Sequence, residues 1–204
     1  HRITVPLCKN IITPICCSKE IGNKQIRIKS IFEFAYLHPN HFKPNIKTLD
    51  LIGIEKDEPY VVIRFVSWQA HHDLGQRRIN TEEKFKIIKE IEKYAKVFIS
   101  SESLLPNKLK EYSLKIPPSK MHDVLYYAKL YFGESPTMAA ESVVLGTPSI
   151  CVSSWAKELG NIQYLEKIGL IKAYETEQKE LALANSIEWI KNKKIKKKWK
   201  IRLK

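Results

Sequence analysis

The feature that most constrains this chain is a repeated alternation between short unbroken apolar runs and segments with helical spacing. The runs are YVVIRFV (60–66), KVFIS (96–100), YFG (131–133), SICVS (149–153) and IKAY (171–174). Short, continuous runs rich in β-branched residues predict strands buried on both faces. Between the first two runs, Thr81 is the expected helix cap and Glu82 and Glu83 suit a first turn. Phe85, Ile87, Ile88, Ile91 and Tyr94 then supply an apolar face. A short helix is expected near 122–130. Glu134-Ser135-Pro136-Thr137 opens another that runs to about Leu145, with Gly146 just past its end and Pro148 beyond. Helices near 161–168 and from about Gln178 complete the pattern. Strand and helix alternating over short connections predict an α/β fold, a Rossmann-like parallel sheet with helices on both faces. Such a sheet binds ligands beyond the carboxyl ends of its strands. Segments 67–80, 101–108 and 134–138 are therefore where chemistry is sought.

The first 58 residues read differently. They carry Pro6, Pro14, Pro39 and Pro44 with only short apolar stretches, and are expected to be a linker plus the remnant of a missing N-terminal domain. Residues 59–190 form the predicted Rossmann-like domain and 191–204 a basic amphipathic tail. The chain starts without Met, as a processed chain, an excised piece or the back half of a longer protein would.

Charge is concentrated in that tail. The chain holds 35 Lys+Arg against 22 Asp+Glu, a net charge of +13, and nine of the basic residues lie in KNKKIKKKWKIRLK (191–204), which has no acid. Ile195, Trp199 and Leu203 recur every four residues, so a helix would carry them as one stripe among lysines. Three readings stay open: a terminal helix packed on its own protein, a helix lying on an anionic membrane, or a nucleic-acid contact. No RRM, KH or zinc-finger pattern supports the last. An apolar content of 44% is enough for a packed core and argues against disorder. The strongest apolar run is short and contains Arg64, far from the about 20 residues a spanning helix needs. Cys8, Cys16, Cys17 and Cys151 form no CxxC pair and no zinc or disulfide framework, which suits reduced thiols in a cytoplasmic chain.

With seven glycines and neither GxGxxG nor GxxxxGK[ST], the chain lacks the usual phosphate loops. A helix N-terminus can still receive phosphate through its free N–H groups. GESPTMAAE (133–141) is the best candidate: Thr137, Met138 and Ala139 would offer amides above a strand end, Ser135 or Thr137 a hydroxyl, and Glu141 a carboxylate one turn on. The alternative is a capped helix with an ordinary Glu. Arg64, within an apolar strand, is either paired with a structural carboxylate or directed at the ligand side. His71, His72 and Asp73 follow that strand, with Arg77 and Arg78 nearby, and Glu102 follows the second. His72 with Asp73 could serve acid–base chemistry or be a polar loop pair. Adjacent histidines suit one metal ion poorly, so no metal ligands are assigned.

The stretch MHDVLYYAKLYFGESPTMAAESVVLGTPSI (121–150) resembles the C-terminal half of GT-B glycosyltransferases and of non-hydrolysing UDP-N-acetylglucosamine 2-epimerases. Gly146-Thr147-Pro148 matches their pattern, Ala128-Lys129 replaces Ala-Asp, and Ser135-Pro136-Thr137 stands where glycines are frequent. Ile12-Thr13-Pro14, Tyr36-Leu37-His38-Pro39, Phe42-Lys43-Pro44, Arg64 to Trp68, His72-Asp73 and Ser100-Ser101-Glu102 resemble an uncharacterised bacterial and archaeal GT-B-like family. The resemblance implies the C-terminal domain of a GT-B fold, holding the nucleotide of a UDP-sugar or similar donor with no obligatory cofactor. By it, Glu141 would bind the ribose hydroxyls and Ser135, Thr137 and Met138 the diphosphate. Met121 and His122 would border the base, Arg64 would contact the anion, and His72 and Asp73 would be the catalytic pair. The implied role is donor binding in surface-polysaccharide or glycoconjugate synthesis, with the fragment alone inactive. A 2-epimerase-like activity is the alternative enzyme. A non-catalytic module, its tail on a membrane or nucleic acid, is the alternative from another class. The expected location is cytoplasmic, with the tail able to reach the inner face of the membrane.

Overall fold

The computed structural model describes residues 3–66, 79–101, 103–156 and 158–203. A short helix, α1 (Thr4–Leu7), precedes two strands, β1 (Ile11–Pro14) and β2 (Gln25–Ile28), which pair in parallel as a small separate sheet. A helical turn, α2 (Phe34–Leu37), and a 3-10 segment (Ile46–Ile52) lead into the main body. There the order is β3 (Tyr60–Phe65), α3 (Thr81–Glu92), β4 (Lys96–Ser101), α4 (Met121–Tyr127), β5 (Leu130–Gly133), α5 (Pro136–Val144) and β6 (Ser149–Val152). It continues with α6 (Gly160–Lys167), β7 (Ile171–Tyr174), α7 (Lys179–Lys191) and α8 (Ile195–Arg202).

The five long-range strands form one parallel sheet in the order β4-β3-β5-β6-β7. Helices α3 and α7 pack together on one face, and α4, α5 and α6 on the other. The predicted α/β class, a Rossmann-like parallel sheet covered on both sides, is what the chain forms. The central strands are deeply buried: Val61, Val62, Ile63, Leu130, Tyr131, Phe132 and Ile150 are all at 0% exposure. Each such side chain contributes roughly 1.5–3 kcal/mol by leaving water. β3 is first in the sheet's chain order yet lies inside it. β4 is added on one side and β5 on the other, so the winding reverses between β3 and β5. Connections diverge there, opening a crevice beyond the carboxyl ends of these two strands.

Several local expectations are refined. Thr81 is the first residue of α3; the cap is Asn80, whose side chain accepts from Glu83 N–H at 2.9 Å while the Glu83 carboxylate accepts from Asn80 N–H at 2.9 Å. Asn caps at least as well as Thr, and this reciprocal pair satisfies two amide donors. α5 begins at Pro136, with Ser135 as cap, and Gly146 adopts φ +78° past its end. The final helical stretch breaks at Asn192 into α7 and α8.

Residues 31–54 share the core of the body. Ile31, Leu37, Leu49 and Ile54 are at most 5% exposed and belong to the same apolar cluster as the sheet. Asp123 in α4 ties them down, accepting from Asn45 N–H at 2.8 Å and Thr48 Oγ1 at 3.1 Å. At the other end, the tail's stripe packs on the protein's own surface: Ile195 and Trp199 are buried and Leu203 rests against the core. Among the described residues no helix is long and apolar enough to cross a membrane.

Candidate functional site

The crevice at the winding reversal begins where Arg64 of β3 pairs with Gly133 of β5. Arg64 is half-buried and its Nη1 donates to Ser100 Oγ of β4 at 2.7 Å. It also lines an open cavity of about 610 Å³, shared with Ser101, Lys110, Met121 and Met138. Three of the expected donor-site residues, Arg64, Met121 and Met138, therefore border one space.

Glu134 lies immediately beyond β5 and is only 3% exposed. One oxygen accepts from Val66 N–H at 3.1 Å, and the same oxygen lies 3.5 Å from Lys84 Nζ on α3. Burial pushes its pKa up, while Lys84 and the N–H groups of Val66 and Ile79 pull against the rise. A carboxyl whose folded pKa is raised stabilises the fold below its ordinary value of 4.5, and that contribution is lost as pH rises through the folded value. Glu134→Gln removes the titration. The wild type should lose stability relative to this variant as pH rises from 4.5 toward neutrality. Parallel melting curves of the two proteins check this, and a pH-independent difference would contradict it.

The start of α5 is more closed than its sequence implies. Ser135 Oγ accepts from Met138 N–H at 3.3 Å and Ser135 O accepts from Ala139 N–H at 3.0 Å. Tyr131 Oη also donates to Ser135 O, at 3.1 Å. Of the three amides expected to be free, the cap and the first helical bond use two, leaving that of the exposed Thr137. Pro136, at the first helical position, has no N–H to offer.

One turn along α5, Glu141 sits in a ring of donors. Its Oε1 accepts from Tyr36 Oη at 3.0 Å and lies 3.2 Å from His122 Nε2 of α4. The Tyr36 ring lies 5.8 Å from the His122 ring, and Phe42 meets His122 edge-on at 6.1 Å. Burial and the Glu141 carboxylate raise the Tyr36 phenol well above its ordinary range, so it stays a donor. Glu33, 6% exposed, is raised by burial and by Glu141, with a hydrogen bond from Asn161 opposing the rise. Among the described residues both hydrogen-bond partners of Glu141 use Oε1, so Oε2 is the oxygen to which a further neutral hydroxyl can donate.

Met121 and His122 thus divide between two neighbouring places, Met121 at the cavity and His122 on Glu141. His72 and Asp73 lie outside the described residues, as do His71, Arg77, Arg78 and Glu102. Tyr36, Glu134 and Lys84 were not singled out as site residues by sequence. For Tyr36 a signal existed, the Tyr-Leu-His-Pro segment. For Glu134 it was the position directly after a strand. Nothing local marks Lys84.

The profile of DUF354, described as a protein of unknown function, matches residues 1–204. Among curated proteins none matches the chain. Among solved structures, one similar chain is the wall teichoic acid polymerase TagF, at 12% identity and a TM-score of 0.47. The alignment covers 77% of this chain and 40% of that one, so the present chain spans well under half of that polymerase's length.

Proposed function

The chain belongs to the DUF354 family of proteins of unknown function, and we propose that it is the nucleotide-sugar-binding half of a GT-B-type glycosyltransferase acting in surface-polysaccharide or glycoconjugate synthesis. The observation that carries this reading is the pairing of Arg64 with Gly133 at the winding reversal, directly before a helix whose capped start and Glu141, beside His122, follow one another. The likeness of residues 121–150 to the donor half of such enzymes supports the same assignment.

In this reading the ribose of a UDP-type donor donates its hydroxyls to Glu141 Oε2, while Tyr36 and His122 hold the carboxylate by Oε1. The diphosphate lies toward Thr137 N–H and the positive end of α5, with the Arg64 guanidinium across the crevice. Fixed donors of this kind stabilise a leaving diphosphate without reorganising during the reaction. No obligatory metal or cofactor is invoked. The base occupies the cavity at Met121 and Met138. The acceptor side would come from a second domain, so these 204 residues alone would bind donor without turnover.

Titration calorimetry with UDP and UDP-sugars tests the proposal. UDP should bind, and Glu141→Ala should weaken it by about 10–100-fold, the equivalent of losing hydrogen bonds to a charged group at about 1.5–3 kcal/mol. No heat at millimolar UDP, or a Glu141→Ala protein that binds as the wild type does, would sink the assignment.

A further inference from the structure

Most of the excess positive charge of this chain lies in residues 191–204, and α8, which carries much of it, is held against the body. The apolar stripe of α8 is consumed by the body. Ile195 is 3% and Trp199 5% exposed, Trp199 Nε1 donates to Leu170 O, and its ring meets Trp189 at 4.6 Å. The helix therefore cannot sink that stripe into a bilayer, and it is not a loose tail either. The lysines on it and in the turn before it stand at fixed positions: Lys193, Lys194, Lys197 and Lys198 are exposed. Among the described residues, no carboxylate forms an ion pair with any residue of 191–203.

Where α8 meets α4 and the residues that follow it, three ammonium groups have neutral partners. Lys196 Nζ donates to Tyr126 O at 2.5 Å, Lys200 Nζ to Tyr126 Oη at 3.4 Å, and Lys129 Nζ to Asn192 O at 2.9 Å. Burial, then the charges of Lys200 and Lys129, press the Lys196 pKa down to about 7. Like charges gathered in this way are relieved by an anion. Beside them runs an apolar groove of about 480 Å³ lined by Phe34, Leu37, Phe42, Val144 and Leu145, with Lys43 and Lys200 at its sides.

The geometry points to this face as a docking surface for an anionic phospholipid bilayer, with a headgroup phosphate seated among Lys129, Lys196 and Lys200 and the exposed lysines spread along the surface. A bilayer fits better than a nucleic acid for two reasons. The one tryptophan of the helix is buried, which leaves no indole on which a base could stack. The groove beside the lysine cluster is mostly apolar, which suits a lipid chain. The lysines stand clear of the crevice, whereas Phe42 of the groove also packs on His122. α8 touches Gly146 and Gly169, which precede the amino ends of β6 and β7, at the opposite end of the sheet from Arg64 and Glu134.

Co-sedimentation of the full chain with vesicles tests the assignment. Vesicles of phosphatidylcholine containing phosphatidylglycerol should retain it, and pure phosphatidylcholine vesicles should not. Retention should fall as salt rises. The combined variant Lys193→Gln, Lys194→Gln, Lys197→Gln, Lys198→Gln alters only exposed positions and should melt like the wild type, while binding up to roughly 1,000-fold more weakly, given the attraction each lysine has for an anionic surface. Lys196→Gln with Lys200→Gln should weaken retention again, at the seat itself. Equal retention on neutral vesicles, or undiminished retention of the fourfold variant, overturns the proposal. So does retention on duplex DNA without retention on vesicles. Inorganic phosphate that raises the melting temperature of a protein no vesicle retains would assign the lysine cluster to a free phosphate and overturn the lipid assignment.

Discussion

Gly133→Val is expected to lose about 3 kcal/mol of stability or more, and to open the crevice while doing so. Gly133 is the last residue of β5 and pairs with Arg64 across the reversal point. A Cβ there would lie 2.6 Å from Arg64 O and 2.9 Å from Arg64 N, both backbone atoms, and 2.7 Å from the buried Tyr131 hydroxyl. None of these can swing aside as a lysine tip could. Relief requires β3 and β5 to part at their carboxyl ends, and the bond from Glu134 N–H to Arg64 O, 2.9 Å long, goes with them. Overpacking costs about 1–3 kcal/mol, and an orphaned buried hydrogen-bonding group adds about 1–3 kcal/mol. Denaturant unfolding of Gly133→Ala and Gly133→Val, compared with the wild type, measures the loss. The close approach belongs to the sheet, so a valine variant within about 0.5 kcal/mol of wild type would mean that the strands do not meet this closely. On the proposed function, the alanine variant should also bind UDP more weakly even where it folds, because Arg64 and the segment leading into α5 sit on the two strands forced apart.

Much of the fold was legible because its signals are local. The β3 run needs no partner to declare itself: five of its six residues are buried and all are apolar but Arg64. The stop at Gly146 follows from a left-handed backbone that glycine adopts without strain. Boundaries slipped where two local signals competed. Asn80 and Thr81 are both capping residues, and only the reciprocal bond with Glu83 decides between them. The candidate site was legible in part. Residues 133–141 are contiguous, and a helix after a strand end is a pattern in sequence. The donors on Glu141 were not, since Tyr36 lies 105 residues away and arrives there only because residues 31–54 share the core. Lys84 reaches Glu134 for the same kind of reason: a helix face is chosen by packing, and the residue it brings to a buried carboxylate is chosen with it. The availability of the α5 amides was misjudged from sequence because the capping power of a serine and the openness of the helix end it caps oppose one another.

Trp199→Ala should destabilise the chain by about 3–5 kcal/mol, the usual cost of emptying a large aromatic site, which for a domain of this size lowers the melting temperature by roughly 10 °C. The site is well filled: Trp199 is 5% exposed, bonds Leu170 O through its indole N–H, meets Trp189 edge-on at 61° and carries Arg202 over its ring at 5.2 Å. Truncation leaves Leu170 O without its donor and Trp189 without its neighbour. Ile201, two residues on, is 64% exposed and serves as the control, for Ile201→Ala changes the same helix without emptying any site. Thermal unfolding of the two variants separates packing from helix propensity. Similar small losses in both would mean that α8 is held by little more than its own hydrogen bonds. A large loss in Trp199→Ala alone makes α8 part of the folded body, as the seating of its lysines at fixed positions requires. It also carries a consequence for Lys196. Once the helix loosens, its ammonium returns to water and to its ordinary value of 10.5, so the charge the fold suppresses near neutrality reappears. In the wild type that suppression penalises the fold below about 7 and fades as pH rises toward 10.5, so stability should climb across that interval, and Trp199→Ala should flatten the climb.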